Sequence, residues 1–143
     1  MLIAQVIREK GPAVHTLPAD ATLERAAREL NEKRVGALVV LDADGAIVGV
    51  LSERDLVREI ARRGASALTD QVGSAMTREV ITAHGDETID ECLGRMTDRR
   101  VRHLPVVEHK RLVGIVSIGD LVKHRIAAAE AESAAMQAYI ATH

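Results

Sequence analysis

Gly49-Val50-Leu51-Ser52-Glu53-Arg54-Asp55-Leu56 returns 65 residues later as Gly114-Ile115-Val116-Ser117-Ile118-Gly119-Asp120-Leu121. The duplication extends well beyond this element. Val14, Thr16, Asp20, Thr22, Arg34, Val35, Leu38 and Val40 recur 66 residues on as Val80, Thr82, Asp86, Thr88, Arg100, Val101, Leu104 and Val106. The offset drops from 66 to 65 where Asp42-Ala43-Asp44-Gly45 becomes Glu108-His109-Lys110. Turns tolerate a lost residue best, so the change of offset itself marks a loop. Gln5-Val6 matches Gln71-Val72, which starts the first copy near the first residue. Internal repetition therefore organises the chain.

Both copies follow the same local pattern. An extended piece (residues 14–17 and 80–82) leads to Thr22 or Thr88 as helix N-cap, and Thr88 with Glu91 has capping-box spacing. Leu23, Ala26, Ala27 and Leu30 form a helical stripe, repeated as Ile89, Cys92, Leu93 and Met96, so Cys92 is read as core and not as a nucleophile. Two apolar runs separated by a turn then predict a hairpin: residues 37–41 with 46–51, and 104–107 with 112–116. A helix follows each hairpin, the first ending at Gly64. The unit is β-α-β-β-α and the fold class α+β, with repeats at 1–66 and 67–126 and a helical extension at 127–143. Two such small units are expected to pack face to face about a pseudo-twofold axis, which buries both apolar faces and leaves two equivalent clefts. In the Ala-rich extension, Val122, Ile126, Ala129, Ser133, Met136 and Ile140 alternate by four and three residues. That pattern fits either self-association or packing on the chain's own body.

Composition removes several functions. With 143 residues, 47% hydrophobic and 28% charged, the chain has the make-up of an ordinary soluble domain. Nineteen basic against 21 acidic residues leave a net charge of −2, too little cation excess for duplex DNA or RNA. Tyr139 is the only aromatic residue, which excludes base stacking on rings. A single cysteine allows no internal disulfide, and the chain has no paired zinc-site spacing. The six histidines include no i, i+4 pair, and there is no P-loop, G-x-G-x-x-G or G-x-S-x-G. Asp42-Ala43-Asp44-Gly45 reads as a hairpin turn and not a calcium loop, because Val40 and Leu51 stand at the outer ligand positions. The first eleven residues are too charged for a signal peptide and no run of 18 apolar residues exists, so a cytoplasmic protein with no membrane segment is expected. A binding module is favoured over an enzyme.

The repeated Gly-x-x-Ser-x-x-Asp supports two readings. Ser52 with Asp55, and Ser117 with Asp120, have the spacing of a helix start in which Ser is N-cap and an acid at the third position favours the dipole. The glycines, Gly49 and Gly114, point further, since glycine inside a strand often marks close approach of a ligand or another backbone. A helix start that attracts phosphate, beside a carboxylate able to accept ribose hydroxyls, suits a nucleotide.

With these elements in place, residues 3–126 resemble a tandem CBS-domain pair (cystathionine-β-synthase domains, the Bateman module), in particular the short bacterial proteins that contain little else. The resemblance rests on the doubled motif and on the Arg102-His103-Leu104-Pro105-Val106-Val107 segment. It implies clefts between paired repeats that bind AMP, ADP, ATP, NAD or S-adenosylmethionine as regulatory ligands, with no cofactor required. By position, Asp55 and Asp120 would hold ribose, with Ser52 and Ser117 beside them. Main-chain groups near Thr16, Ala37 and Leu38, and near Thr82, His103 and Leu104, would face the base. Arg54, Arg100 and Arg102 are candidate phosphate contacts, surface solvation being the plainer role for each. The copies differ: Arg54 is matched by Gly119, Val39 by Pro105, and Arg34 with Gly36 by Arg100 with Arg102. Equal occupancy of both clefts is not expected. The resemblance further implies a homodimer of four repeats that reports nucleotide status to a partner enzyme or transporter. The alternative is a protein-interaction module with vestigial clefts that docks through its C-terminal helix, and a small nucleotide-metabolising enzyme ranks third because no general base is identifiable.

Overall fold

The computed structural model describes residues 1–143. The elements run α1 (Ile3–Lys10), β1 (Thr16–Pro18), α2 (Leu23–Lys33), β2 (Ala37–Leu41), β3 (Ile47–Ser52), α3 (Glu53–Arg63), α4 (Ile89–Arg99), β4 (His103–Glu108), β5 (Arg111–Ser117) and α5 (Ile118–Thr142). Two 3-10 turns, Gly64–Thr69 and Val72–Ser74, follow α3. No helix is long and apolar enough to cross a membrane.

Two compact units divide the chain: a central unit of Ala13–Ile81, and a terminal unit of Met1–Pro12 together with Thr82–His143. These units do not coincide with the consecutive repeats at 1–66 and 67–126. Each repeat's leading segment folds onto the other repeat's hairpin and helices. In the central unit Thr77 pairs with Val50, both backbone bonds forming at 3.0 and 2.9 Å. In the terminal unit α1 lies along β5 and α5, and its buried Ile3 and Val6 belong to that unit's apolar interior.

The central unit has a three-stranded sheet in the order β1-β2-β3, with β1 parallel to β2 and β2 antiparallel to β3. The parallel pair needs a crossover, which α2 supplies. Thr22 Oγ1 caps α2 by accepting from Arg25 N at 3.2 Å. Leu23, Ala26 and Leu30 pack from α2 onto Leu38, Val40 and Leu51, as the stripe predicts. The Asp42 carboxylate accepts the Asp44 and Ala46 N–H groups at 2.9 Å each, and Gly45 takes a φ of 84° that an L side chain rarely adopts. The hairpin turn expected there is present.

The terminal unit has only the two-stranded β4-β5 sheet. The expected extended piece at 80–82 forms no strand. Its continuation makes a single parallel bridge, Ala83 to Val106. The cause is Pro105: its repeat counterpart Val39 donates its N–H to the His15 carbonyl at 3.1 Å, and proline has no N–H with which to make the same bond to Ile81. The β4-β5 turn uses His109 and Lys110 at φ 49° and 64°, the left-handed pair of a two-residue hairpin. Thr88 Oγ1 caps α4 at 3.1 Å, but Glu91 returns no bond, so only half of the expected capping box forms. Cys92 is buried, as read from the sequence, and burial pushes its thiol up to about 11.

Candidate functional site

Each strand pair ends where its Ser-x-x-Asp opens a helix. Backbone register sets the neighbours: Ala37 lies opposite Ser52 and Leu38 opposite Leu51, while His103 lies opposite Ser117 and Leu104 opposite Val116. The structure thus gathers the sequence-named residues into two groups. Thr16, Ala37, Leu38, Ser52, Arg54 and Asp55 lie in the central unit; Thr82, Arg100, Arg102, His103, Leu104, Ser117 and Asp120 lie in the terminal one.

The helix-start reading holds at both corners. Ser52 Oγ accepts from Asp55 N at 3.3 Å and Ser52 N donates to Asp55 Oδ2 at 2.9 Å. Ser117 Oγ accepts from Asp120 N at 3.1 Å and Ser117 N donates to Asp120 Oδ2 at 2.8 Å. Reciprocal bonds of this kind satisfy donors that the first helical turn leaves open.

The glycines mark sites of close approach, as their sequence position suggests, but not of a ligand. The close approach at each is made by the chain itself. A Cβ on Gly49 would meet Met76, with Cγ at 2.8 Å, and the Thr77 carbonyl at 3.1 Å. A Cβ on Gly114 would meet Ile7 Cδ1 at 2.5 Å. Both glycines make room for the leading segment that arrives from the other repeat.

The two carboxylates then diverge. Asp55 has a side chain only 7% exposed, and its Oδ1 lies 3.1 Å from Arg58 Nη1 on the same helix. Asp120 is 26% exposed, and its partner comes from α1: Lys10 Nζ donates to Oδ2 at 2.6 Å and to the Ile115 carbonyl at 2.8 Å. Burial raises the Asp120 pKa, but the Lys10 hydrogen bond, the Ser117 N–H and the Lys10 charge outweigh it and hold the carboxyl below its ordinary range. Ile115 corresponds in the repeat to Val50, whose carbonyl is taken by Thr77 backbone. A side chain therefore covers in one unit what main chain covers in the other.

The remaining named residues occupy defined places. Thr16 pairs with Val39 at the start of β1 and is exposed. Arg54 is exposed in the first turn of α3. Arg100 and its repeat partner Arg34 both close a helix in the left-handed conformation, at φ 56° and 54°. Arg102 is exposed, and its carbonyl accepts from Ile118 N at 2.8 Å. The Thr82 carbonyl accepts from Arg95 Nη1 at 3.0 Å. Arg95 also forks onto Glu87, whose carboxyl it holds below the usual range. Sequence reading did not single out Lys10, Arg58, Ile7 or Met76. Lys10 corresponds to Met76 in the second copy, so repetition carried no signal for it.

The model of the CBS domain matches residues 6–62 and 72–127. A CBS-domain-containing protein of Agrobacterium tumefaciens is 42% identical and superposes with a TM-score of 0.84 over 87% of this chain and 92% of its own. A mitochondrial CBS domain-containing protein of Arabidopsis thaliana is 34% identical over 96% of this chain and 71% of its own. A CBS domain protein of Pyrobaculum aerophilum, solved complexed with AMP, is 31% identical with a TM-score of 0.75, over 84% of this chain and 89% of that one. Two tandem matches that span most of the sequence, on a fold shared with these proteins, make the chain a member of the CBS-domain family with two CBS domains.

Proposed function

We propose that the protein is a non-catalytic regulatory module that binds an adenine nucleotide, and that the Asp120 corner is its stronger site. The observation that carries this reading is the pairing of a partly exposed, ionised Asp120 at the start of α5 with the Lys10 cation from the end of α1. An ionised carboxylate accepts two hydroxyl hydrogens from a ribose. A displaced Lys10, with the exposed Arg100 and Arg102, supplies cations for the phosphate, and the first turn of α5 adds its dipole. Thr82, His103 and Leu104 offer backbone groups to the base. At the other corner Ser52, Arg54 and Asp55, with Thr16, Ala37 and Leu38, form a weaker counterpart, because Asp55 is more deeply covered. The AMP-bound relative supports the ligand class.

Signalling then follows from differential affinity: the nucleotide moves the module only as far as it favours one arrangement over another. Thermal shifts with AMP, ADP, ATP, NAD and S-adenosylmethionine test the reading. A ligand at about 100 times its Kd adds about 2.7 kcal/mol of stability. Asp120→Ala should weaken binding by about 10- to 150-fold. A second reading, an interaction module with vestigial clefts, is favoured by one fact: both motif carboxylates already have partners inside the chain. No shift with any of these ligands would leave that reading standing.

A further inference from the structure

The last part of α5 has no partner in its own chain. Every residue from 129 to 143 is exposed, and Ile126, Met136 and Ile140 are 53%, 61% and 67% exposed. Packing on the chain's own body, one of the two readings the sequence left open, is not what the helix does.

We propose that this face pairs with the same helix of a second copy, the two running antiparallel about a twofold axis midway between residues 127 and 128. Size complementarity is the first argument. Residues 119, 122, 126, 129, 133 and 136 follow one another at alternating spacings of three and four and so share one face. Reversed about that midpoint, Gly119 meets Met136, Val122 meets Ser133 and Ile126 meets Ala129. Every layer then contains one larger and one smaller side chain. A parallel pair would stack each residue on its own copy, which crowds Met136 and Ile126 and leaves hollows at Gly119, Ala129 and Ser133. Close packing disfavours both faults.

Charge is the second argument. Lys123 and Arg125 flank the stripe before the midpoint, and Glu130 and Glu132 flank it after. The antiparallel arrangement sets Lys123 near the second copy's Glu130 and Arg125 near its Glu132. Arg125 now lies 3.3 Å from Asp90 in its own chain, but both side chains are at least half exposed, and such a pair exchanges easily in water. A face whose size and sign both reverse about one point is complementary to itself, which a heterologous partner would not require. Residues 119–136 span about 26 Å of helix, enough for six such layers.

The test uses the full chain. Ile126→Cys and Ala129→Cys proteins, mixed and mildly oxidised, should give a mixed 126–129 disulfide in tryptic maps, in excess over either like-with-like product. The native thiol of Cys92 is buried and raised to about 11, so it stays out of the reaction. K123E/R125E should weaken the dimer by about tenfold or more in sedimentation, and mixing it with E130K/E132K should restore pairing. Like-with-like disulfides alone would establish a parallel pair and overturn the proposal. Monomers at every concentration would overturn it, as would dimers that neither cross-link here nor respond to the charge reversals. Ligand binding plays no part in these readouts, so the nucleotide proposal stands or falls separately.

Discussion

Lys10 Nζ sits 2.6 Å from Asp120 Oδ2, although 110 residues separate the two in sequence. The bond ties α1 to the start of α5 and neutralises the carboxylate of the doubled motif. In the central unit the same task falls to Arg58, three residues along from Asp55. One corner therefore carries its own counter-ion, and the other borrows it from the beginning of the chain.

Lys10→Met should raise the Asp120 pKa, readable as a later carboxyl shift in an NMR titration. The native carboxyl lies below its unfolded value, so its contribution to stability is present above the unfolded pKa and is lost as pH falls through the native one. The substitution should cost about 1 kcal/mol near neutral pH. In urea melts that cost should shrink in strong acid, where Asp120 is protonated in both proteins and only the Lys10 bond to the Ile115 carbonyl is still lost; an equal cost at both pH values would contradict the ion pair.

Gly114→Ala should destabilise by about 1–3 kcal/mol, because the new methyl would overlap Ile7 Cδ1. Ile7→Val removes that very carbon. The double variant should recover part of the loss, and a double-mutant cycle measures how much. Strict additivity would mean that the glycine serves something other than the crossing of α1.

Ser52→Ala and Ser117→Ala should each cost about 1 kcal/mol, since each removes the side chain that accepts the N–H of the third residue of its helix. The loss should appear in chemical melts without any ligand. Nucleotide titrations of Ser117→Ala then separate capping from ligand contact: unchanged affinity assigns the hydroxyl to the helix alone.

Cys92 should resist thiol reagents in the folded protein near neutral pH and react fully in denaturant. Its thiol is raised to about 11 by burial and is further disfavoured as an anion by Glu87. Rapid labelling of the native protein would show that α4 opens locally.

Much of this architecture could be read without coordinates. The repeat offsets, 66 and then 65, located both hairpins and both motif corners, and the stripes at Leu23 and Ile89 located α2 and α4. Other elements were illegible. Residues 1–11 read only as a short apolar stretch with charges, whereas Ile3–Lys10 is a helix stabilised by packing against the terminal unit. The extended piece at 80–82 repeats its counterpart in sequence, yet it forms no strand because Pro105 lacks the N–H that Val39 donates to His15 in the first copy. The motif glycines were legible as sites of close approach, but not the identity of what approaches.

Local order alone determined the repeats, the capped helices, the two turns and the residue types at each corner, because such features depend on neighbours within a few positions along the chain. Tertiary structure decided which segment fills the space above Gly49 and Gly114, and which cation meets each aspartate. Those partners are brought together by the crossing of the leading segments between repeats. Lys10 and Met76 stand at equivalent positions with unrelated chemistry, so only the folded chain could make one carboxylate ion-paired from a distance and the other from its own helix.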